Sequence, residues 1–292
     1  MPKFILGIDG GGTSCRAAVA APDGRVLGRG KSGAANILTD PDAALANIEA
    51  AARSAFAEAG LAPEAIAEAA AVLGLAGNNV GDAVNYVRTR LPFADAVIES
   101  DGLIALQGAL GDEDGAIAIL GTGTIYLKRL AGKVSYIGGW GFAVGDLGSG
   151  ARLGQAALQE CLLVHDGIHP PSDLAASLLV EFGNDPGQVV EFARLARPGD
   201  FGRYAPRVFE YAEKGDAAAV RLLRASAAHV DEVLDLITAD GVERISLLGG
   251  LAPLYPRWLA ARHHGKLVAA AADALTGAVA IAAQRFATAG GR

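Results

Sequence analysis

The stretch Phe4–Thr13, which reads FILGIDGGGT, decides the fold. Its apolar half, Phe4–Ile8, predicts a short buried strand because large apolar residues are bounded by glycine. Three glycines remove every Cβ, so backbone N–H groups can approach an anion closely, and Thr13 adds a hydroxyl donor. Asp9 stands at the strand end, where a carboxylate can hold a hydrated Mg²⁺ beside phosphates. A tight hairpin without a ligand is the alternative, since Gly-Gly is a common hairpin turn.

A second strand, Ser14–Ala20, is predicted directly after the glycines. The glycine loop is then a hairpin turn. This separates it from P-loop and dinucleotide-binding motifs, because both of those lead into a helix.

Composition limits the classes of protein to which the chain can belong. Its 292 residues suit two lobes, and 51% apolar residues supply a large core. A net charge of −7 without a long basic run argues against nucleic acid as a main partner. Cys15 and Cys161 form neither a disulfide framework nor a zinc site, which favours a reducing cytoplasm. We expect no membrane partner, since no window suits a bilayer span and the N-terminus lacks a secretory pattern.

The order strand, glycine-hydroxyl loop, strand, turn, strand occurs twice, at residues 4–30 and 116–137. The second loop is Gly121–Thr124, which reads GTGT. The repeat predicts an α/β fold with two half-molecules that face each other across a cleft. A polyphosphate fits between two such loops better than on one.

The remaining elements alternate between helix and strand. Asp40 and Pro41 predict the start of a helix that ends near Gly60. Strands are predicted at 69–75, 95–100, 242–248 and 266–270, with helices at 102–110, 149–165 and 274–286 and a mostly helical region at 172–239. Asp101 stands where the strand 95–100 ends, and a glycine-rich loop at 138–150 reads GGWGFAVGDLGSG.

With both loops, Asp101 and the 138–150 loop in place, the chain resembles the N-acetylglucosamine kinase-like ATPases of the BadF/BadG/BcrA/BcrD family. These belong to the actin and sugar-kinase superfamily, and the resemblance runs from Gly7 to Ala278. It implies two ribonuclease-H-like (actin-like ATPase) lobes, 1–110 and 111–292, the second with a helical insertion. ATP and sugar would occupy the cleft between them.

The resemblance also implies an activity. ATP, with Mg²⁺, would donate its γ-phosphate to the 6-hydroxyl of an amino sugar, N-acetylglucosamine first and glucosamine as the alternative. The implied nucleotide-binding residues are Gly10, Gly11, Gly12, Thr13, Gly121, Thr122, Gly123, Thr124, Gly249, Gly250 and Leu251. The implied sugar-binding residues are Asn36, Ala76, Gly77, Asp101, Trp140 and Asp146.

Asp101 is the candidate general base, because a carboxylate at a strand end can accept the hydroxyl proton. The alternative is an N-cap for the following helix. Asp9 is the candidate metal ligand, or else it caps nearby amides. Asn36 could be a turn residue, Asp146 a brace within its loop, and Trp140 a buried anchor rather than a sugar contact.

Two departures from the family pattern bear on which sugar is used. Ala76 stands where a serine often contacts the sugar, and Leu147 stands where a glutamate commonly follows the loop aspartate. Alanine cannot donate a side-chain hydrogen bond, so one sugar contact is missing there.

Other functions remain open. An ATP-driven activator of a partner enzyme would need cysteines for an iron–sulfur cluster, and Ala116–Ser149 contains none. A sugar-sensing regulator would need an added DNA-binding segment. A homodimer through the helical region 172–239 also stays open. Histidines without metal spacing are predicted on the surface: His165, His169, His229, His263 and His264.

Overall fold

The structure is a computed structural model that describes residues 2–78 and 82–287. It divides into a first unit, Met1–Glu113 with Ala270–Arg292, and a second unit, Asp114–Ala269. The sequence-based division assigned residues 270–292 to the second lobe, and the structure instead packs the last helix in the first unit. No helix within the described ranges is long and apolar enough to cross a membrane.

The first unit contains, within the described residues, a five-stranded sheet of β1 (Phe4–Gly10), β2 (Cys15–Ala20), β3 (Val26–Ser32), β4 (Ala69–Leu75) and β5 (Asp95–Ser100). The strand order is β3-β2-β1-β4-β5, with β1, β4 and β5 parallel and β2 and β3 antiparallel to their neighbours. Gly10 pairs with Leu75, and Leu75 pairs with Ser100. The loops that follow these three strands therefore lie at one edge of the sheet.

The helices of the first unit cover this sheet and are α1 (Pro41–Glu58), α2 (Ala83–Arg88), α3 (Asp101–Leu110) and the last helix of the chain, α11 (Ala274–Ala287). As predicted, Asp40 begins α1 by accepting a hydrogen bond from the Ala43 N–H at 2.9 Å. The helix buries Ile48, Ala52 and Phe56 in the core it shares with the sheet. A short 3₁₀ helix, Pro63–Glu68, leads into β4.

Helix α11 belongs to the first unit because glycines let backbones meet there. A Cβ on Gly277 would lie 2.0 Å from the carbonyl oxygen of Ile104, and one on Gly7 would lie 2.7 Å from the backbone nitrogen of Val279. These contacts lock α11 against α3 and β1. Gly277 therefore serves a tight contact between helices.

The second unit repeats the first four strands of this arrangement with β6 (Gly115–Leu120), β7 (Thr124–Leu130), β8 (Lys133–Gly138) and β9 (Ile245–Leu248). Their order is β8-β7-β6-β9, and β6 and β9 run parallel. The predicted internal repeat and the α/β class are therefore confirmed. The glycine-threonine loop between β6 and β7 is the counterpart of the loop between β1 and β2.

Helices fill the rest of the second unit: α4 (Gly150–His165), α5 (Asp173–Glu181), α6 (Pro186–Leu195), α7 (Pro198–Gly202), α8 (Ala205–Glu213), α9 (Ala217–Ala239) and α10 (Ala261–His264). Ser149 begins α4 by accepting a hydrogen bond from the Arg152 N–H at 3.2 Å. Leu158, Leu223 and Val230 contribute to the core between the helices and the sheet.

One predicted strand is wrong. Residues 266–270 form no ladder and make a single bridge, between Ile245 and Leu267. Ile245 donates to the Lys266 carbonyl at 2.8 Å and accepts from the Val268 N–H at 2.9 Å. One bridge is too little for a strand, and the chain continues into the first unit at Ala270.

Candidate functional site

The loop Gly10–Thr13 is a hairpin turn between β1 and β2, as predicted. The Gly11 N–H closes it with a 3.0 Å hydrogen bond to the Ser14 carbonyl. A Cβ on Gly12 would meet nothing within 4 Å, and both Gly12 and Thr13 are exposed. The loop therefore presents open backbone and a hydroxyl that has no partner among the described residues.

Three loops of the first unit are tied together at the sheet edge by backbone hydrogen bonds. The Ala35 N–H donates to the Gly11 carbonyl at 2.9 Å, and the Ala76 N–H donates to the Gly10 carbonyl at 2.9 Å. The Ile37 N–H donates to the Ala76 carbonyl at 3.1 Å. The structure thus brings the predicted sugar-binding positions 36, 76 and 77 to the predicted phosphate loop.

Asn36 has the turn role considered for it, and a sugar contact stays a prediction. Its Oδ1 accepts hydrogen bonds from the N–H groups of Leu38 at 3.0 Å and Thr39 at 3.2 Å, so it is a turn residue. Gly77 packs against it with φ +83°, where an added Cβ would lie 2.6 Å from Asn36 Oδ1. Because Oδ1 is occupied, the Asn36 amide is held in place. Its Nδ2 has no acceptor among the described residues and is free to donate.

Asp9 is held by an arginine that the sequence reasoning missed. Arg16 Nε lies 3.1 Å and Arg16 Nη2 lies 2.6 Å from Asp9 Oδ2. The signal was present, because Asp9 and Arg16 face each other in the β1–β2 register and cross-strand pairs share one face. Asp9 Oδ1 has no donor among the described residues. Asp9 is therefore an oriented carboxylate with one oxygen available.

Arg16 also contacts Asp273, a second residue that the sequence reasoning missed. Arg16 Nη1 lies 2.8 Å from Asp273 Oδ2. Asp273 precedes α11, and its Oδ1 accepts from the Thr276 N–H at 2.9 Å and the Thr276 hydroxyl at 2.7 Å. The capping position was visible in the sequence, but the contact across 257 positions was not.

Asp101 is the first residue of α3, directly after β5. Ser100 caps the helix, accepting from the Leu103 N–H at 3.0 Å, so the N-cap alternative for Asp101 is wrong. Asp101 Oδ1 accepts from the adjacent Gly102 N–H at 2.8 Å. Loss of hydration raises the pKa of the Asp101 carboxyl, and the negative charge of Asp9 adds to this, while the hydrogen bond from Gly102 opposes it.

Asp9 and Asp101 therefore lie at the same sheet edge, and the charge of Asp9 contributes to the raised pKa of Asp101. β1 and β5 are separated by β4 alone, which places their ends about 10 Å apart. A carboxylate that accepts a proton and one that carries a cation can serve one reaction at such a spacing.

The Asp9 carboxylate suits a magnesium ion that is bound partly through water molecules. Among residues 2–78 and 82–287, no group of three or more His, Cys, Asp or Glu could form a metal cage. Mg²⁺ commonly uses one or two protein carboxylates together with waters and phosphate oxygens. Asp9, with Oδ1 available, suits that mode.

The second loop, Gly121–Thr124, is tied to α4. The N–H groups of Gly150 and Ala151 donate to the carbonyls of Gly121 at 2.8 Å and Thr122 at 3.2 Å. Thr122 is exposed, and its hydroxyl has no partner among the described residues. Thr124 is only 5% exposed, and its hydroxyl donates to the Leu147 carbonyl at 3.0 Å. The free hydroxyl of this loop thus belongs to Thr122, and the Thr124 side chain is already engaged.

Asp146 braces this second loop. Its Oδ1 lies 3.4 Å from the Thr124 N–H nitrogen, and an added Cβ on Gly123 would lie 2.8 Å from its Oδ2. Loss of hydration raises the pKa of the Asp146 carboxyl, against the hydrogen bond from Thr124 and the charge of Arg152. The bracing role considered from the sequence is therefore present, and a sugar contact stays a prediction.

Trp140 is not a buried anchor. It is 79% exposed, so that alternative is wrong. Phe142 anchors the 138–150 loop instead, stacked on Phe201 with ring centroids 5.5 Å apart. The Arg152 guanidinium lies 5.1 Å from the Phe142 ring and donates from Nε to the Gly145 carbonyl at 3.0 Å.

The turn after β9 lies beside the end of β6. Gly249 has φ +93°, and an added Cβ there would lie 2.5 Å from the Leu120 carbonyl oxygen. Leu251 is buried and donates its N–H to that same carbonyl at 3.0 Å. A Cβ on Gly250 would meet nothing within 4 Å, so the open surface of this predicted nucleotide turn is Gly250.

The histidine prediction is wrong for His263, which is 1% exposed. Its Nε2 lies 3.3 Å from Asp235 Oδ1 and 3.6 Å from Asp231 Oδ1. Loss of hydration lowers its pKa in spite of these carboxylates. Packing of α10 on α9 buries it, which spacing in the sequence does not reveal. His165 and His264 are exposed as expected.

Three known proteins resemble the chain, two of them along almost its whole length. It is 35% identical over 278 residues to glucosamine kinase GspK of Vibrio cholerae, covering 95% of each chain. It is 28% identical to an N-acetylmuramic acid/N-acetylglucosamine kinase of Clostridium acetobutylicum, over 56% of this chain and 55% of the relative. A solved Chromobacterium violaceum structure, provisionally named an N-acetylglucosamine kinase, matches with TM-score 0.87 and 32% identity, over 95% of this chain and 98% of the other.

The comparisons confirm both the predicted fold class and the family resemblance. The sequence profile of the BadF/BadG/BcrA/BcrD ATPase family matches residues 6–282. The chain belongs to the BadF/BadG/BcrA/BcrD ATPase family.

Proposed function

We propose that the chain is an ATP-dependent kinase that phosphorylates an amino sugar at its 6-hydroxyl. The observation that carries this proposal is the cluster at one sheet edge of the first unit. There an open glycine hairpin, the oriented Asp9 carboxylate, the free amide of Asn36 and the Asp101 carboxylate lie together. Kinship with a glucosamine kinase and N-acetylglucosamine kinases supports it.

The nucleotide is bound mainly by backbone. The open hairpin Gly10–Thr13 and the loop Gly121–Thr124 hold phosphate oxygens through N–H groups and through the free hydroxyls of Thr13 and Thr122. Gly250 offers a flat surface for the adenosine. Asp9 Oδ1 would hold Mg²⁺, which would neutralise charge on the phosphate oxygens as negative charge develops on the leaving group.

Asp101 acts as the general base. It takes the proton of the sugar 6-hydroxyl while that oxygen bonds to the γ-phosphorus. The bond from the γ-phosphorus to the bridging oxygen breaks, and ADP leaves with its electron pair. The raised pKa of Asp101 makes it a stronger base than an ordinary aspartate.

The sugar is recognised by groups from several loops. The free Nδ2 of Asn36 donates to a ring hydroxyl, and the carboxylate of Asp146 accepts from one. Backbone at Ala76 and Gly77 forms the floor of the site, and the exposed ring of Trp140 offers an apolar surface to a sugar face. Ala76 adds no hydroxyl contact of its own.

The test is an ADP-release assay with Mg²⁺, ATP and a panel of N-acetylglucosamine, glucosamine, N-acetylmannosamine and glucose. We expect the amino sugars to raise ADP release well above ATP alone, and phosphorus NMR to show a 6-phosphate ester. Release that no sugar stimulates would overturn the proposal. Since the full-length relative is a glucosamine kinase, glucosamine is the second candidate acceptor beside N-acetylglucosamine.

An ATPase activator with an iron–sulfur cluster is disfavoured by the cysteines. Cys15 and Cys161 are buried and lie in different units. Burial, aided by the Asp9 charge, raises the pKa of Cys15 to about 12, whereas a cluster ligand must be a thiolate. Iron analysis of protein purified without oxygen tests this directly. We also propose a cytoplasmic location and leave a homodimer to size-exclusion chromatography.

A further inference from the structure

We propose that Asp273 is a positioning residue that shares Arg16 with Asp9 and so keeps Asp9 available to a divalent cation. The proposal rests on the proposed function, in which Asp9 holds Mg²⁺. It concerns how this chain prepares that carboxylate rather than which ligand it takes.

Three charged side chains form the bridge, with Arg16 between Asp9 and Asp273. Arg16 uses Nε and Nη2 on Asp9 Oδ2, at 3.1 and 2.6 Å, and uses Nη1 on Asp273 Oδ2, at 2.8 Å. The planar guanidinium has donors on both sides, which a lysine could not present at once. Arg16 is therefore fixed between two carboxylates.

The net charge of Asp9, Arg16 and Asp273 determines how strongly this group attracts a cation. A pair of Asp9 and Arg16 alone is neutral and would attract a cation weakly. Asp273 restores one net negative charge, and it draws part of the guanidinium's hydrogen bonding away from Asp9. Asp9 Oδ1, which has no donor among the described residues, stays open to a metal ion.

Asp273 is itself fixed, so its position is reproducible. Its Oδ1 caps α11 through Thr276, at 2.9 and 2.7 Å. A Cβ on Gly108 would lie 2.1 Å from the Asp273 carbonyl oxygen, which shows how closely this corner packs on α3. The N-terminus of α11 thus holds one end of the bridge, and β1 holds the other.

Stability alone does not account for this bridge. The Arg16 and Asp273 side chains are 38% and 44% exposed. Surface ion pairs of this kind contribute little to folding. An effect of Asp273 on cation binding would therefore stand out from its effect on the fold.

The test measures Mn²⁺ binding by electron paramagnetic resonance in the presence of ADP and without any sugar. Asp273→Asn keeps a capping oxygen and removes the charge, and we expect its Kd for Mn²⁺ to rise about five-fold, as one lost charge at this range implies. Asp273→Ser, which also keeps a capping oxygen, should give the same shift and serves if the first variant folds poorly.

Two matched variants separate charge from structure. Thr276→Ala weakens the cap but leaves the bridge, and Glu49→Gln removes a charge from the exposed Glu49–Arg53 pair on α1. Both should bind Mn²⁺ as the wild type does. Equal Mn²⁺ affinity in Asp273→Asn and the wild type would overturn the proposal. Failure of the proposed function would appear differently, as wild-type protein that phosphorylates no amino sugar.

Discussion

Thr13 and Thr124 each close a glycine-rich turn between the first two strands of a unit, yet their side chains differ in role. Thr13 is exposed with a free hydroxyl, and Thr124 is buried with its hydroxyl on the Leu147 carbonyl. The acids differ too. Asp9 lies on the strand that enters its loop, whereas Asp146 reaches its loop from 22 positions away.

The difference shows that two copies of one strand arrangement can carry loops with different roles. The first loop keeps its polar groups accessible and has an acid oriented by a cross-strand arginine. The second loop uses a hydroxyl and a carboxylate to hold its own shape. We therefore expect substitutions in the first unit to affect chemistry, and matched substitutions in the second to affect stability or sugar binding.

The largest expected effect comes from the pair Asp101→Asn and Asp146→Asn. Losing the general base should lower kcat about 10²-fold or more, with ATP and sugar still bound. Asp146→Asn should mainly raise KM for the sugar, since its proposed role is to accept a hydrogen bond from a ring hydroxyl and not the reacting proton. Steady-state kinetics on both variants test this prediction. Equal losses of kcat would show that Asp101 and Asp146 do not differ in role.

Next in size is Thr124→Val, a substitution of nearly unchanged shape. It leaves the Leu147 carbonyl without its donor, and we expect the free energy of unfolding to fall by about 1–2 kcal/mol. Urea unfolding followed by circular dichroism measures this. Thr122→Val, in the same loop but exposed, is the control and should leave the unfolding midpoint unchanged.

A smaller effect is expected from Thr13→Val. Loss of one hydroxyl contact to a charged phosphate should raise KM for ATP about five-fold, which corresponds to about 1 kcal/mol. Stability should not change, because the hydroxyl has no partner among the described residues. A destabilised Thr13→Val protein would show that the two threonines share a structural role after all.

The smallest effect concerns pH. The pKa of Asp101 is raised and a base works only when ionised, so kcat/KM should fall as pH drops through a value above the ordinary 3.8. Above that pH, ionisation of Asp101 is complete and should cause no further change in kcat/KM. Asp146→Asn should keep the acid limb where it is, although the pKa of Asp146 is also raised. If the acid limb of the kcat/KM profile moved in Asp146→Asn, the titrating group would be Asp146 in the second unit and not Asp101.

Local patterns were enough for the repeat, the hairpin loops, the strand that leads to Asp101 and the caps of several helices. Each depends on neighbours in the chain: glycine before a strand, Asp40 before Pro41, Ser149 before a helix. Spacing also supplied the candidate residues of both loops. It could not tell Thr13 from Thr124, because burial of a hydroxyl depends on residues far along the chain.

Tertiary structure alone decided the rest. Residues 270–287 join the first unit because Gly7 and Gly277 allow backbone contacts between residues far apart in the chain. In the bridge from Asp9 through Arg16 to Asp273, the contact between Arg16 and Asp273 spans 257 positions, so no local pattern could predict it. Sequence determines which groups can donate, accept or carry charge, and packing determines which of them remain free to act on a ligand.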